Sequence, residues 1–249
     1  MTGFPPRSLA PGPLPAGEIH VWSLRLDPPS ERVEALGRSL SPDERERAAR
    51  FRFDKHRRQY IVGRGALRAL LSAYTGTRPE LIRFDYGPRG KPFLSAAQNP
   101  GGLFFNLSNS DEMALVGFLQ GREIGVDLEF RKPMPDCEQI SERFFSQSER
   151  EVLRALPAHL KEEAFFNCWT RKEAYLKAVG EGLAAPLDSF DVTLAPGDEP
   201  RMLTLKGDAK AGTRWFFRHL LPADEYVGAV AVERQHDGEE WPVHTWSFV

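Results

Sequence analysis

Asp127 and Glu129 stand two residues apart in Gly125-Val126-Asp127-Leu128-Glu129, a run that alternates apolar and polar side chains. On a strand that spacing sends both carboxylates to one face and Val126 and Leu128 to the other, toward a core. Two neighbouring carboxylates repel unless a cation sits between them. Hard oxygen donors suit Mg²⁺, which binds at about 2.0–2.1 Å and keeps waters and substrate phosphates in its shell. A solvated strand face carries the same residue pattern. Asp136-Cys137-Glu138 and Asp237-Gly238-Glu239 repeat it where the surrounding composition reads as loop.

A second group is Trp169-Thr170-Arg171-Lys172-Glu173-Ala174-Tyr175-Leu176-Lys177-Ala178-Val179-Gly180. At helical spacing Glu173 and Lys177 are one turn apart, with Trp169 a turn earlier on the same side. Two readings are open: a surface pair worth ~0.2–0.5 kcal/mol beside a core Trp, or a third acidic ligand with a lysine facing a phosphate. In Tyr86-Gly87-Pro88-Arg89-Gly90-Lys91-Pro92, two glycines and a lysine can let backbone amides and one ammonium approach a phosphate. The same run also makes a plain turn. It is not a Walker loop, since Pro92 stands where Ser or Thr would bind the metal. Phe105-Asn106-Leu107-Ser108-Asn109-Ser110 offers hydroxyl and amide donors, or again a turn. Gly180-Glu181-Gly182 follows a helix rather than a strand, which removes a dinucleotide reading. No G-x-S-x-G elbow or H-E-x-x-H occurs, and the six His show no ligand spacing. Cys168, in an aromatic helical stretch, reads as buried and inert.

These groups need elements to hold them. Glu18 to Leu26 alternates as a half-buried strand does. Ser41-Pro42-Asp43-Glu44 is a capping box with Pro at the first helical position. Gly63 to Tyr74 continues as helix and ends at Thr75-Gly76. Leu103 to Leu107 and Met113 to Leu119 are strand-like, with the turn-forming Ser108 to Asp111 between them, and Glu123 to Phe130 is another strand. Ser146-Gln147-Ser148-Glu149 is a second capping box, and Ala158 to Val179 a long helix ending at Gly180. Ser189 to Leu194, Met202 to Leu205, Trp215 to Leu220 and Val227 to Val232 close the chain as strands. The order predicts an α/β (α+β) fold of two lobes: a Pro-rich lead-in over 1–17, one lobe over 18–121 and a second over 122–249, meeting near Gly121.

Composition bounds the function. With 41% apolar and 27% charged residues the chain is an ordinary globular one. Lys plus Arg number 33 against 35 Asp plus Glu, a net charge of -2, so global charge gives wholesale nucleic-acid binding no support. Apolar runs such as Ala114 to Leu119 fall far short of the ~20 residues of a membrane helix. The lead-in lacks a signal peptide's apolar core. Two cysteines make neither a disulfide framework nor a zinc site, which points to a reducing, cytoplasmic setting.

Together the motifs resemble those of the larger, two-lobed 4′-phosphopantetheinyl transferases, which activate carrier proteins. The likeness runs over about residues 18 to 232. It is carried by Ser41-Pro42 with Arg47, Gly90-Lys91-Pro92, Phe105-Asn106-Leu107-Ser108, Gly125-Val126-Asp127-Leu128-Glu129, and Trp169-x-x-Lys172-Glu173-Ala174 with Lys177 and Gly180-x-Gly182-Leu183; Phe144-Phe145-Ser146 with Glu149 adds to it. The resemblance implies two similar lobes packed as an intramolecular pseudo-dimer with the site between them. It implies that Asp127, Glu129 and Glu173 hold Mg²⁺, or Mn²⁺ in its place, against the pyrophosphate of coenzyme A. Lys177 would contact the phosphate being transferred, Lys91 and Arg47 the other phosphates, and Ser108 would add a donor. Gly90, Pro92, Asn109, Lys172 and Arg58 complete the expected coenzyme-binding set. Many relatives have His where Asn109 stands, so an uncharged amide replaces a cation there. Where relatives often carry a basic residue near the 3′-phosphate, this chain has Glu44, with Arg45, Arg47 or Arg58 as substitutes.

The implied reaction is attack by a carrier-protein serine on the β-phosphate of coenzyme A, releasing 3′,5′-ADP. Positioning and charge neutralisation dominate such transfers. Glu173 is the expected acceptor of the serine proton, directly or through water, and Lys177 the expected stabiliser of charge. The partner is an acyl or peptidyl carrier protein of fatty-acid, polyketide or nonribosomal peptide synthesis. The Arg-rich stretch from Arg45 to Arg58, where seven basic residues outnumber the three acids from Glu44 on, could steer it or hold coenzyme phosphates. Phe144 and Phe145 are a candidate docking patch. A monomer suffices, since two lobes complete the cleft. Two other classes remain: a Mg-dependent hydrolase of nucleotide pyrophosphates, which the same three acids fit, and a non-enzymatic nucleic-acid-binding module built on the basic helix.

Overall fold

The computed structural model describes residues 3–7, 12–180, 186–236 and 238–248. Glu181, Gly182 and Leu183 of the last motif, Asp237 and part of the lead-in lie outside the described residues. Strands β1 (Pro6–Arg7) and β2 (Ile19–Arg25) are followed by helices α1 (Ser30–Gly37), α2 (Pro42–Ala49) and α3 (Asp54–Thr75). A small hairpin, β3 (Phe84–Tyr86) and β4 (Pro92–Leu94), leads to β5 (Leu103–Ser110), β6 (Met113–Gln120) and β7 (Ile124–Phe130). Helices α4 (Cys137–Phe144), α5 (Gln147–Ala155) and α6 (Ala158–Val179) precede β8 (Phe190–Val192), β9 (Met202–Leu205), α7 (Ala209–Thr213), β10 (Trp215–Leu220), β11 (Tyr226–Glu233) and β12 (Val243–Phe248).

Local chemistry starts the helices where the spacing predicts. Glu44 and Glu149 reach back to accept from the backbone N–H of Ser41 (3.1 Å) and Ser146 (2.9 Å), the reciprocal half of a capping box. The two long helices, α3 and α6, have 22 residues each and end at Gly76 (φ 71°) and Gly180 (φ 73°). Glycine reaches that left-handed conformation without the Cβ penalty.

Two sheets organise the lobes: β1-β12-β2-β6-β5 and β10-β11-β7. Their strands alternate between two buried faces. Trp22, Leu24, Ala114, Val116 and Phe118 pack under Val62, Ala66, Leu67, Leu70 and Leu71 of α3. The opposite residues of the same strands, Ile19, Val21, Met113 and Leu115, meet Ile124, Val126, Leu128, Phe216, Val230 and Val232 of the second sheet. Beyond that sheet, Val227, Ala229, Ala231, Trp215 and Phe217 are covered by α6. The layers therefore run helix, sheet, sheet, helix, an α/β architecture with one long helix per lobe. Burial on both faces is why β6 and β11 read as nearly unbroken apolar runs.

The last strand returns to the first sheet. β12 lies parallel to β2 in the register Val243↔Ile19 to Phe248↔Leu24, and β1 adds outside it. Residues 122–249 therefore do not all stay in one lobe. Elements α1, β3, β4 and β12 carry little periodic signal: they are short, or, like β12, half-buried along their whole length, whereas α4 is amphipathic and begins at Cys137, in a stretch whose composition reads as loop.

Candidate active site

The site lies where the edge strand of each sheet, β5 and β7, come side by side. They are bridged by side chains from every second residue of β5. Asn106 Oδ1 accepts from Val126 N (2.9 Å), Ser108 Oγ donates to Asp127 Oδ1 (3.0 Å), and Ser110 Oγ donates to Glu129 Oε2 (2.8 Å) while accepting from Phe130 N (3.1 Å). The run Asn106-Leu107-Ser108-Asn109-Ser110 is thus strand, not turn, and its period of two aims three polar side chains at β7.

On the other face of β7 lies α6. A Cβ placed on Gly125 would fall 1.9 Å from Ala174 O and 2.4 Å from Ala178 N. Only glycine lets the strand cross this close, and the crossing sets Glu173 and Lys177 over Asp127. Lys177 Nζ donates to Asp127 Oδ1 (2.6 Å) and Ser108 Oγ (2.7 Å), joining helix, β7 and β5. Asp127 is 3% exposed. Its Oδ2 and Glu173 Oε1 are buried with no hydrogen-bond partner among the described residues.

Burial pushes all three carboxyl groups above the usual carboxylate range. For Asp127, Lys177 and Ser108 oppose the push without overcoming it. For Glu129, Asp127's charge adds to burial. Glu173 is raised by burial and then by Asp127, with Lys177 opposing and Glu129 adding. Among the described residues no group of three or more His, Cys, Asp or Glu is arranged to hold a metal ion as it stands, and Lys177 and Ser110 occupy one oxygen of Asp127 and one of Glu129. The donor chemistry nevertheless fits a hard divalent cation. Two buried carboxylate oxygens, Asp127 Oδ2 and Glu173 Oε1, are left without a partner among the described residues, in a cluster whose like charges raise one another.

A cleft of about 840 Å³ opens beside Lys177, lined by Arg47, Gly90, Lys91, Pro92 and Asn109 from the expected set, and also by His56, Tyr60, Arg64, Tyr86 and Arg89. Lys91 crosses to the other lobe, donating to Glu123 Oε2 (2.7 Å) and Lys177 O (2.7 Å). Beyond Glu129 an apolar hollow of about 600 Å³ is walled by Phe130, Ile140, Phe165 and Trp169.

Several expected residues lie elsewhere. Lys172 is fully buried, salt-bridged to Glu149 (2.8 Å) and donating to Leu187 O (2.7 Å) and Phe190 O (2.5 Å). One residue along a helix is a turn of about 100°, which takes it away from Glu173. Arg58 is outside the cleft lining and bonds Pro28 O (3.1 Å) and Ser30 Oγ (3.3 Å). Phe145 is 2% exposed and stacks on Phe165, so it faces inward, whereas Phe144 is half-buried and packs edge-on against Trp169. Glu44 is buried, and accepts from Arg64 (2.9 Å) and Arg68 (2.7 Å). Arg64 escaped the sequence reading, although its spacing of four from Arg68 on one helix face, with a capping acid upstream, was a usable signal.

A model of the 4′-phosphopantetheinyl transferase superfamily matches residues 123–231, and one of the N-terminal region of such transferases matches residues 25–117. The chain is similar to 4′-phosphopantetheinyl transferase HetI of Nostoc sp., with 41% identity over 231 residues, 93% of this chain and 92% of that one. It is also similar to 4′-phosphopantetheinyl transferase Sfp of Bacillus subtilis, with 30% identity over 178 residues, 71% and 77% of the two chains. To L-aminoadipate-semialdehyde dehydrogenase-phosphopantetheinyl transferase of Mus musculus it is 26% identical over 249 residues, 94% and 80%.

Proposed function

Because the chain belongs to the 4′-phosphopantetheinyl transferases of the larger type, we infer that it transfers the 4′-phosphopantetheine moiety of coenzyme A to a serine of a carrier protein, releasing 3′,5′-ADP. The relatives named above are all transferases, and neither the hydrolase nor the nucleic-acid-binding reading finds support among them.

The observation that carries the site assignment is the pair of unclaimed oxygens, Asp127 Oδ2 and Glu173 Oε1, beside the Lys177 ammonium. Asp127, Glu129 and Glu173 would hold a divalent cation, Mg²⁺ by their oxygen chemistry. When bound, such an ion neutralises and orients pyrophosphate oxygens. Glu173 takes the proton from the attacking serine. The serine Oγ–phosphorus bond forms as the bond from that phosphorus to the pyrophosphate bridging oxygen breaks, and the electron pair leaves with 3′,5′-ADP. Lys177, at the end of α6, meets the charge on the phosphoryl group. Arg47, Lys91 and the backbone around Gly90 line the cleft for the remaining phosphates, and Asn109 offers an uncharged donor at its wall. The apolar hollow beyond Glu129 gives the carrier's serine loop a surface next to the acid group.

Mass spectrometry of several apo carrier proteins incubated with coenzyme A, Mg²⁺ and this protein tests the reading. A gain of one phosphopantetheine unit on at least one carrier is expected, and is lost when Mg²⁺ is chelated. No gain on any carrier overturns the transfer reading, and transfer that survives chelation overturns the metal.

A further inference from the structure

Glu44 gathers more positive charge than it neutralises. Its Oε1 accepts from Arg64 Nε (2.9 Å), and Nη2 of the same guanidinium is 2.8 Å away; its Oε2 accepts from Arg68 Nε (2.7 Å) and Ser41 N (3.1 Å). One carboxylate thus faces two guanidinium groups. Arg68, 1% exposed, turns inward and spends Nη1 on Pro79 O (2.8 Å) and Ile82 O (3.0 Å). Arg64 turns outward, and it lines the cleft. Its position is over-determined: Nη2 also donates to Tyr86 Oη (3.1 Å), and the guanidinium carbon lies 4.3 Å from the centre of the Phe84 ring. Among the described residues Nη1 has no partner. The side chain is only 13% exposed, so its charge, which Glu44 holds and the more distant Asp43 also feels, is poorly hydrated.

We propose that Arg64, with the Tyr86 hydroxyl beside it and Glu44 as its positioning residue, forms an anion-binding corner that takes a phosphate group of the bound coenzyme A. The proposal rests on the coenzyme A reading above. A guanidinium held at the cleft wall by one carboxylate and one phenol, with Nη1 unengaged among the described residues, suits a phosphate oxygen: charge-assisted N–H···O bonds to a group already fixed in place lose little entropy on binding. Glu44 thus brings positive charge to the cleft indirectly, by holding Arg64 at its wall.

The test uses the full chain and two readouts: transfer kinetics, and calorimetric binding of coenzyme A without a carrier. Arg64→Met keeps side-chain length and leaves Glu44 paired with Arg68 and Ser41 N; Tyr86→Phe leaves Glu44 untouched. With folding verified by circular dichroism, Arg64→Met is expected to weaken coenzyme A binding and raise its KM by about tenfold or more, the scale of one charged hydrogen bond, with kcat changed far less. Tyr86→Phe moves both in the same direction by about threefold. Glu44→Gln raises KM as Arg64→Met does, a split from kcat that a merely structural role would not produce. Repeating the titrations with 3′-dephospho-coenzyme A identifies the phosphate: a loss confined to coenzyme A assigns the corner to the ribose phosphate, and an equal loss for both assigns it to the pyrophosphate. A folded Arg64→Met protein that binds coenzyme A as tightly as the wild type overturns the proposal. That outcome leaves wild-type transfer intact, whereas failure of the transferase reading appears as no transfer by the wild type, and calorimetry still decides the corner.

Discussion

Two carboxylate oxygens without partners, Asp127 Oδ2 and Glu173 Oε1, are an unusual expense in a buried place, because an unmade hydrogen bond there costs about 1–3 kcal/mol. Neither is relieved by the residues around it: Lys177 and Ser108 both serve Asp127 Oδ1. Glu173 also sits in the fields of Asp127 and Glu129, which raise its pKa further. Replacing it by the neutral isostere removes that repulsion. Glu173→Gln is therefore expected to raise the melting temperature in the absence of divalent ions, by up to about 1 kcal/mol of stability, while cutting transfer by about 10²-fold or more. Paired thermal melts and transfer assays check it; a variant that is active, or that melts lower than the parent, would remove Glu173 from the acid cluster's function.

Elements act here through contacts a side-chain list does not reveal. The crossing of β7 and α6 depends on Gly125 having no Cβ, since any other residue would collide with the α6 backbone at Ala174 and Ala178. Gly125→Ala is expected to cost about 3 kcal/mol and to shift the helix off the strand, separating Lys177 from Asp127. Denaturant titration together with kcat should show both losses; an active, fully stable variant would mean the helix can slide without consequence. On the opposite face of α6, Lys172 is tied to Glu149, itself the capping residue of α5 and the acceptor of Val192 N (2.8 Å). One buried pair thus joins α6, α5 and β8. Lys172→Met strands the buried Glu149 charge and is expected to destabilise the fold by about 3–5 kcal/mol, while the folded fraction keeps its KM for coenzyme A. A raised KM with unchanged stability would instead place Lys172 at the ligand.

At the scale of the molecule, closure between the lobes is made of reciprocal reaches. Lys177 extends from α6 to Ser108 on β5, and Lys91 extends from the β3–β4 hairpin to the carbonyl of Lys177. The chain ends bind the assembly as well, because β12 inserts between β1 and β2. Two histidines, His20 buried and His219 half-buried, are expected to make the fold acid-sensitive. Burial, with the charges of Arg171 and Arg131, lowers the pKa of His219 to about 4. Burial also lowers that of His20 against the opposing hydrogen bond that its ring donates to Glu18, with His244 adding to the lowering. A histidine whose folded pKa lies below its unfolded value binds fewer protons when folded. Its stability contribution is therefore complete above about pH 6.5 and is lost as pH falls toward the folded pKa, for His219 down to about 4. Urea midpoints measured across that window should fall with pH in the parent and fall less in His219→Gln. An equal decline in both would assign the acid sensitivity to other groups.

What could be read without coordinates was whatever a short-range rule encodes. Alternation placed Asp127 and Glu129 on the face opposite Val126 and Leu128, the two capping boxes marked helix starts at Ser41 and Ser146, and a turn of spacing linked Glu173 to Lys177. Motif order carried the family, because identity and spacing together are hard to match by chance. Short-range rules do not carry rotation about an element or meetings between distant ones. Lys172 and Glu173 are neighbours in sequence, and only the packing of α6 decided that one is locked in the core while the other faces the acids. Ser110 gained its role from a strand of the other sheet, Arg64 from a carboxylate 20 residues upstream, and β12 from an edge nearly the full chain length away. Such partners are set by the free energy of burying both faces of two sheets at once, a property of the assembled layers that no window of sequence contains.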